Sequence, residues 1–210
     1  MTLAEEQAAT LGAGRRRYGL LARLLFAGMD LVYGRRRTPS KFKVLELIAR
    51  VPYQAWENAA YVAMTHTAAR PDFARRVFDV VREARAQQDN EQWHLLILEE
   101  MTEDAREDFL RFAVLPQLAA FAYYHASWLL FVIRPRLSYE LNADFEDHAE
   151  HEYMEFVAEN PVLETQAFES AFAGDYGRFA SRADLFRRIG LDEREHKRES
   201  LARAERARFA

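Results

Sequence analysis

Two well-separated segments carry the same arrangement of a carboxylate and an imidazole: Asn90-Glu91-Gln92-Trp93-His94 and Asp192-Glu193-Arg194-Glu195-His196. On a helix, residues three apart share a face with their Cβ atoms about 5–6 Å apart, so each Glu-x-x-His can grip one metal ion. With six histidines in the chain, chance alone supplies on the order of 0.6 such pairs, so one pair means little. Two pairs on separate long helices constrain the fold strongly. Helical bundles with di-iron carboxylate centres take a Glu-x-x-His from each of two helices and a single Glu from each of two others.

The rest of the chain is compatible with that plan. Gly and Pro are sparse, 8 and 6 in 210 residues, and apolar residues recur at helical spacing without strict alternation. Helices are expected over about 16–33, 41–67, 71–101, 109–133, 137–160 and 181–206, with Ser40 as a cap for the second and Gly190 as a weak point in the last. The predicted fold is an all-α, ferritin-like four-helix bundle with a di-iron centre, plus two apolar helices that contact a membrane. One domain spans 1–210, with the bundle over about 41–206 and an interfacial helix over about 16–33. The absence of cysteine excludes disulfides, thiolate sites and iron–sulfur clusters, leaving Glu, Asp and His as metal donors. A net charge of -4 gives no sign of a nucleic-acid partner.

Two lone Glu residues are still required. Glu46 lies in Val44-Leu45-Glu46-Leu47-Ile48-Ala49, where a charge is costly unless it is paired or bound to metal. The fifth helix offers Glu146, Asp147 and Glu150, and spacing alone does not choose among them. The stretches 18–33 and 113–133 are the most apolar. Arg15-Arg16-Arg17 and Arg35-Arg36-Arg37 flank the first, as suits a helix lying among lipid phosphates. Pro116, Gln117, His125 and Ser127 interrupt the second, which disfavours a clean membrane span. Leu20, Leu24, Phe121, Tyr124, Trp128 and Phe131 are the expected membrane surface. The acidic, small-residue-rich start does not look like a targeting segment.

At this point the chain resembles the alternative oxidase family, and its plastid terminal oxidase branch more than the mitochondrial one. The matching segments are Val44-Leu45-Glu46-Leu47-Ile48-Ala49-Arg50-Val51-Pro52-Tyr53, then Asn90-Glu91-Gln92-Trp93-His94-Leu95-Leu96-Ile97-Leu98-Glu99-Glu100 and Arg134-Pro135-Arg136-Leu137-Ser138-Tyr139. They continue with Glu146-Asp147-His148-Ala149 through Tyr153, and with Asp192-Glu193-Arg194-Glu195-His196. The resemblance implies that Glu46, Glu91, His94, Glu146, Glu193 and His196 hold two iron ions bridged by Glu91, Glu146 and other carboxylates, and that Tyr153 passes an electron or hydrogen toward oxygen. It implies supporting roles for Asn90 and Asp192, and it places the family's quinol-pocket positions on Lys41 and Glu152, where arginine and threonine are usual. The spacing from Glu46 to Glu91 is a little long, and that from Tyr153 to Glu193 is short.

The implied activity is oxidation of a quinol (ubiquinol, plastoquinol or menaquinol) coupled to reduction of O2 to water without proton pumping. The expected setting is a homodimer, monotopic on the cytoplasmic face of a bacterial inner membrane. A di-iron hydroxylase acting on a quinone precursor or lipid, a ferritin-like iron-binding protein and a metal-free membrane scaffold are the competing expectations.

Overall fold

A computed structural model describes residues 1–103, 105–206, 208 and 209, all of whose regular structure is helical. The helices are α1 (Leu3–Gly12), α2 (Leu20–Tyr33), α3 (Pro39–Met64), α4 (Pro71–Met101), α5 (Leu115–Ile133), α6 (Pro135–Glu159) and α7 (Arg182–Ala204). A π-helical turn over Leu110–Val114 leads into α5, and a 3-10 turn over Pro161–Glu164 follows α6.

The helix ends follow from local chemistry. Pro39, Pro71 and Pro135 each open a helix, where the missing N–H costs nothing and the fixed φ already suits the helix. Pro39 in the first turn moves the cap of α3 to Thr38, whose hydroxyl accepts from the Lys41 amide, and not to Ser40. Ser181 caps α7 by accepting from the Asp184 amide. Gly190 does not interrupt α7. A Cβ there would lie 3.0 Å from Met154 Cε and 3.4 Å from Glu150 O, so this glycine lets α7 approach α6 closely.

α3 packs against α4, and α6 against α7, to form the bundle; α5 lies across α3 and α6, and α2 rests on α6. The core runs from Phe42, Leu45 and Ala49 on α3 through Ile97 and Leu98 on α4 to Phe145, Phe186 and Ile189 on α6 and α7. No helix of the described residues is long and apolar enough to cross a membrane.

α1 is a helix absent from the sequence expectations. Its start is set by a capping box, in which Thr2 and Glu5 exchange side-chain to backbone hydrogen bonds. Its docking is polar: Gln7 donates to Met154 O at 2.8 Å, Thr10 to Glu150 at 2.7 Å, and Glu6 pairs with Arg194. The following strap crosses α6, with Arg15 on Glu152 and Glu155 and the Gly19 amide on Asp144. Arg15, Arg16 and Arg37 are therefore paired with α6 acids, while Arg17, Arg35 and Arg36 are exposed. Phe131 is likewise not a surface residue: it is fully buried, against Trp56 and Tyr139.

Candidate metal centre

Each of the four bundle helices turns its acids to one point. α3 contributes Glu46, α4 Glu91 and His94, α6 Glu146, and α7 Glu193 and His196; the first five are fully buried and His196 is 6% exposed. They form two groups whose ligand atoms all lie within 4.8 Å of one another: Glu46, Glu91, His94 and Glu193, and Glu91, Glu146, Glu193 and His196. His94 Nδ1 is 3.1 Å from Glu46, 3.3 Å from Glu193 and 3.8 Å from Glu91. His196 Nδ1 is 2.8 Å from Glu91 and 3.8 Å from Glu193. The carboxylates common to both groups are Glu91 and Glu193. Glu146 belongs to one group alone.

Four carboxylates gathered away from water, with no lysine or arginine on them among the described residues, call for a counter-cation. Both oxygens of Glu91 and of Glu193, Oε2 of Glu146 and Nδ1 of His196 are buried and, although His196 Nδ1 is 2.8 Å from Glu91, none of them makes a well-directed hydrogen bond. Such orphaned atoms are rare unless an ion or other group satisfies them. Burial, with repulsion from Glu193 and Glu91, holds Glu146 well above the usual carboxylate range, and burial with repulsion from Glu46 raises Glu91. Burial disfavours a charged imidazole at His94 and His196, yet the surrounding acids hold both well above the ordinary histidine value. The pocket thus attracts positive charge, and its oxygen and imidazole donors suit iron. These residues fit two metal ions.

The choice among the α6 acids also has a physical basis. Although burial acts the other way, Lys197 and the Arg16 amide hold Asp147 below its usual range, and Lys197 and Arg194 do the same for Glu150. Lys197 Nζ lies 2.9 Å from Asp147 and 2.6 Å from Glu150. Both acids are already neutralised, so a third buried group formed with His151 has no charge to offer a metal.

Around the centre, two tyrosines are placed in mirrored fashion. Tyr153, two helical turns after Glu146, donates to Glu46. Tyr53, two turns after Glu46, donates to Glu146 at 2.6 Å. Each tyrosine thus supports the carboxylate of the other half. Burial and adjacent carboxylates raise both phenols far above their ordinary value, which keeps the hydroxyl hydrogens in place. Asn142 donates to Tyr53, Glu146 and Ser200 at 2.8, 2.9 and 3.1 Å. Asp192 supports the opposite pair: its Oδ2 is 3.4 Å from His94 Nε2, accepts from Tyr176 at 2.7 Å, and its other oxygen meets Arg188 at 2.5 Å. Tyr53, Asn142, Ser200 and Tyr176 were not anticipated. Asn90 is half-buried, with its Oδ1 unpaired among the described residues.

Tyr53→Phe leaves the carboxylate donors in place but loosens Glu146. Groups that orient metal ligands typically contribute 10–100-fold in affinity. Cobalt(II) titration of the variant is expected to show one site weakened by roughly tenfold or more, while equal affinities would rule out this orienting role.

Lys41 and Glu152 lie off this centre, committed to other partners. Lys41 Nζ binds Asp30 at 2.7 Å and Gly34 O at 2.9 Å, and Glu152 sits between Arg15 and Arg37 at 2.9 and 3.1 Å.

Comparison with known proteins matches this arrangement. Ubiquinol oxidase 4, chloroplastic/chromoplastic, of Arabidopsis thaliana is 36% identical over 129 residues, which cover 61% of this chain and 34% of that relative. The aligned part thus spans about a third of the relative's length. The family model described as alternative oxidase matches residues 18–203, nearly all of the bundle and α2, and the chain therefore belongs to the alternative oxidase family.

Proposed function

We propose that this protein is a membrane-associated quinol:oxygen oxidoreductase in which Glu46, Glu91, His94, Glu146, Glu193 and His196 hold two iron ions. The observation that carries the reading is the pair of buried Glu/His groups sharing Glu91 and Glu193, with a tyrosine hydroxyl on Glu46. Two quinols and one O2 give two quinones and two waters, so every electron and proton required comes from the quinol. Bound iron supplies the redox centre for oxygen reduction.

The chain's own residues do the remaining work. Glu91 and Glu193, common to both groups, would each serve both ions, while Asp192 orients His94 through its outer nitrogen. Tyr153 holds a hydrogen at its buried hydroxyl beside Glu46, ready for transfer and for replacement from quinol. A dry surround of Phe42, Leu45 and Phe186 keeps bulk water from the reacting oxygen.

Quinol resides in a bilayer, and the apolar surface needed to meet one is present. Leu20, Leu24 and Leu31 on α2 and Leu118 and Phe121 on α5 are exposed. α2 rests on α6 and α5 on α3 and α6, so both faces stand on the α3–α6 side. A bundle that buries them in one leaflet is monotopic and moves no proton across the membrane. The reading extends to a homodimer on the cytoplasmic face of a bacterial inner membrane, with ubiquinol, plastoquinol or menaquinol as reductant.

Oxygen uptake by purified, iron-loaded protein with a short-chain quinol, in the presence of cyanide, tests this. One O2 consumed per two quinols, with no oxygenated product, is expected; no uptake, or incorporation of oxygen into the quinol, overturns it. In the same assay Tyr153→Phe should keep both irons and lose on the order of 10²-fold in turnover, the scale of a positioned proton donor. Wild-type turnover in that variant would remove Tyr153 from the reaction.

A further inference from the structure

The two histidines of the centre differ in what lies behind them. Behind His94 stand Asp192, Tyr176 and Arg188, linked by hydrogen bonds and an ion pair. Behind His196 is space. A cleft of about 870 Å³ between α4 and α7, lined also by Glu6 of α1, has His196 in its wall. His196 is more than nine-tenths buried; its Nδ1 faces Glu91 in the centre at 2.8 Å, and its ring also lines this cleft. Gln87 and Asn90 of α4 line the same cleft, and the buried Oδ1 of Asn90 is also unpaired.

The acids of this cleft are not equivalent. Glu6 is paired with Arg194, Glu83 with Arg203, Asp192 with Arg188, and Glu195 with Arg198. Glu199 has no basic partner among the described residues; it accepts only from Gln87. It follows His196 by three residues and so stands on the same face of α7, one turn further along the cleft wall. The cleft lies between α4 and α7, whereas α2 and α5, with their exposed apolar faces, pack on α3 and α6. The bundle therefore has an aqueous side and an apolar side.

We propose that the α4–α7 cleft is the inlet through which hydrated divalent metal ions reach the centre, with Glu199 as the staging carboxylate that passes an ion to His196. This rests on the metal-centre reading above. A dication loses water stepwise, and each lost water needs a hard oxygen to replace it. The Glu199 carboxylate and the Asn90 carbonyl oxygen provide such atoms on the approach to His196. Arg188, Arg194 and Arg198 line the cleft but are paired with its other acids, so Glu199 carries its uncompensated negative charge, and such charge speeds the arrival of cations by roughly 10-fold.

The test is the rate at which apo protein takes up cobalt(II) under argon, read by stopped-flow through the ligand-field absorption of the filled centre. Glu199→Gln, and Ala86→Trp, which crowds the cleft from exposed α4 surface, should fill roughly tenfold more slowly and reach the wild-type metal count and spectrum. Glu140→Gln, an acid outside the cleft, should fill at the wild-type rate. Circular dichroism identifies any variant that is misfolded, and the other variant then decides. Filling of both cleft variants at the wild-type rate overturns the inlet. An altered final spectrum or metal count in Glu199→Gln overturns the staging role by making Glu199 a resident ligand. Wild-type protein that binds no cobalt defeats the metal-centre reading itself, a result distinct from these.

Discussion

Glu193→Ala removes both metal ions, and quinol-dependent oxygen uptake falls by at least on the order of 10³-fold, whereas Glu46→Ala or Glu146→Ala leaves one of the two positions with most of its donors. The difference follows from the geometry. Glu193 belongs to both ligand groups, with Nδ1 of His94 at 3.3 Å and of His196 at 3.8 Å, while Glu46 and Glu146 each serve one. Losing a shared carboxylate removes a donor from both ions and the charge that offsets their mutual repulsion. Metal analysis after anaerobic iron loading should give close to none per chain for Glu193→Ala and about one for Glu46→Ala. Equal losses in the two variants would mean that Glu193 is not shared.

Loading the centre stabilises the fold far more than any surface change could. In the apo protein, four fully buried carboxylates crowd two histidines, with no lysine or arginine on them among the described residues. A ligand present at 100 times its Kd adds about 2.7 kcal/mol to stability. Two such sites add roughly 5 kcal/mol, which for a chain of this size is a rise of roughly 10–20 °C in Tm. The sign of the pH effect is fixed by the raised groups. Glu91 and Glu146 hold protons more tightly when folded than unfolded, and so do His94 and His196. The stability they lend the apo protein is therefore present at low pH and lost as pH rises. Metal ions compete with those protons, so the gain in Tm should be larger near pH 7.5 than near pH 5.5. Glu146→Gln relieves the repulsion, so its apo form should melt no lower than the wild-type apo form, and about half of the metal-dependent gain should remain. Scanning calorimetry under argon measures all three; a shift below about 2 °C on loading wild type would contradict two buried sites.

Much of the centre was legible in the sequence because helical spacing is rigid. Glu91 with His94 and Glu193 with His196 need only the i to i+3 relation, and Glu46 stood out as an acid among apolar neighbours. Glu146 could not be separated from Asp147 and Glu150 by spacing, because what separates them is tertiary: Lys197 and Arg194 reach across from α7 to neutralise the other two. Tyr53 could have been found. It follows Glu46 by the same seven residues that separate Tyr153 from Glu146, and the mirrored spacing is the mirrored geometry. Tyr176 could not, since it lies in the irregular stretch between α6 and α7 and only folding brings it to Asp192. α1 escaped notice for a related reason: it docks through Glu6, Gln7 and Thr10, so it lacks a strong apolar stripe, and only the Thr2 and Glu5 capping box marked it. The arginine triplets divide: Arg17, Arg35 and Arg36 are exposed, whereas Arg15, Arg16 and Arg37 meet acids on α6 that sequence proximity does not reveal.

The central claim is that six side chains from four helices hold two iron ions. Its most direct test is the amount of iron retained per chain after anaerobic loading with Fe(II) and desalting, alongside a variant lacking both Glu91 and Glu193. Two irons in the wild type and none in the variant are expected; fewer than one in folded wild type, or the same number in both proteins, would contradict it.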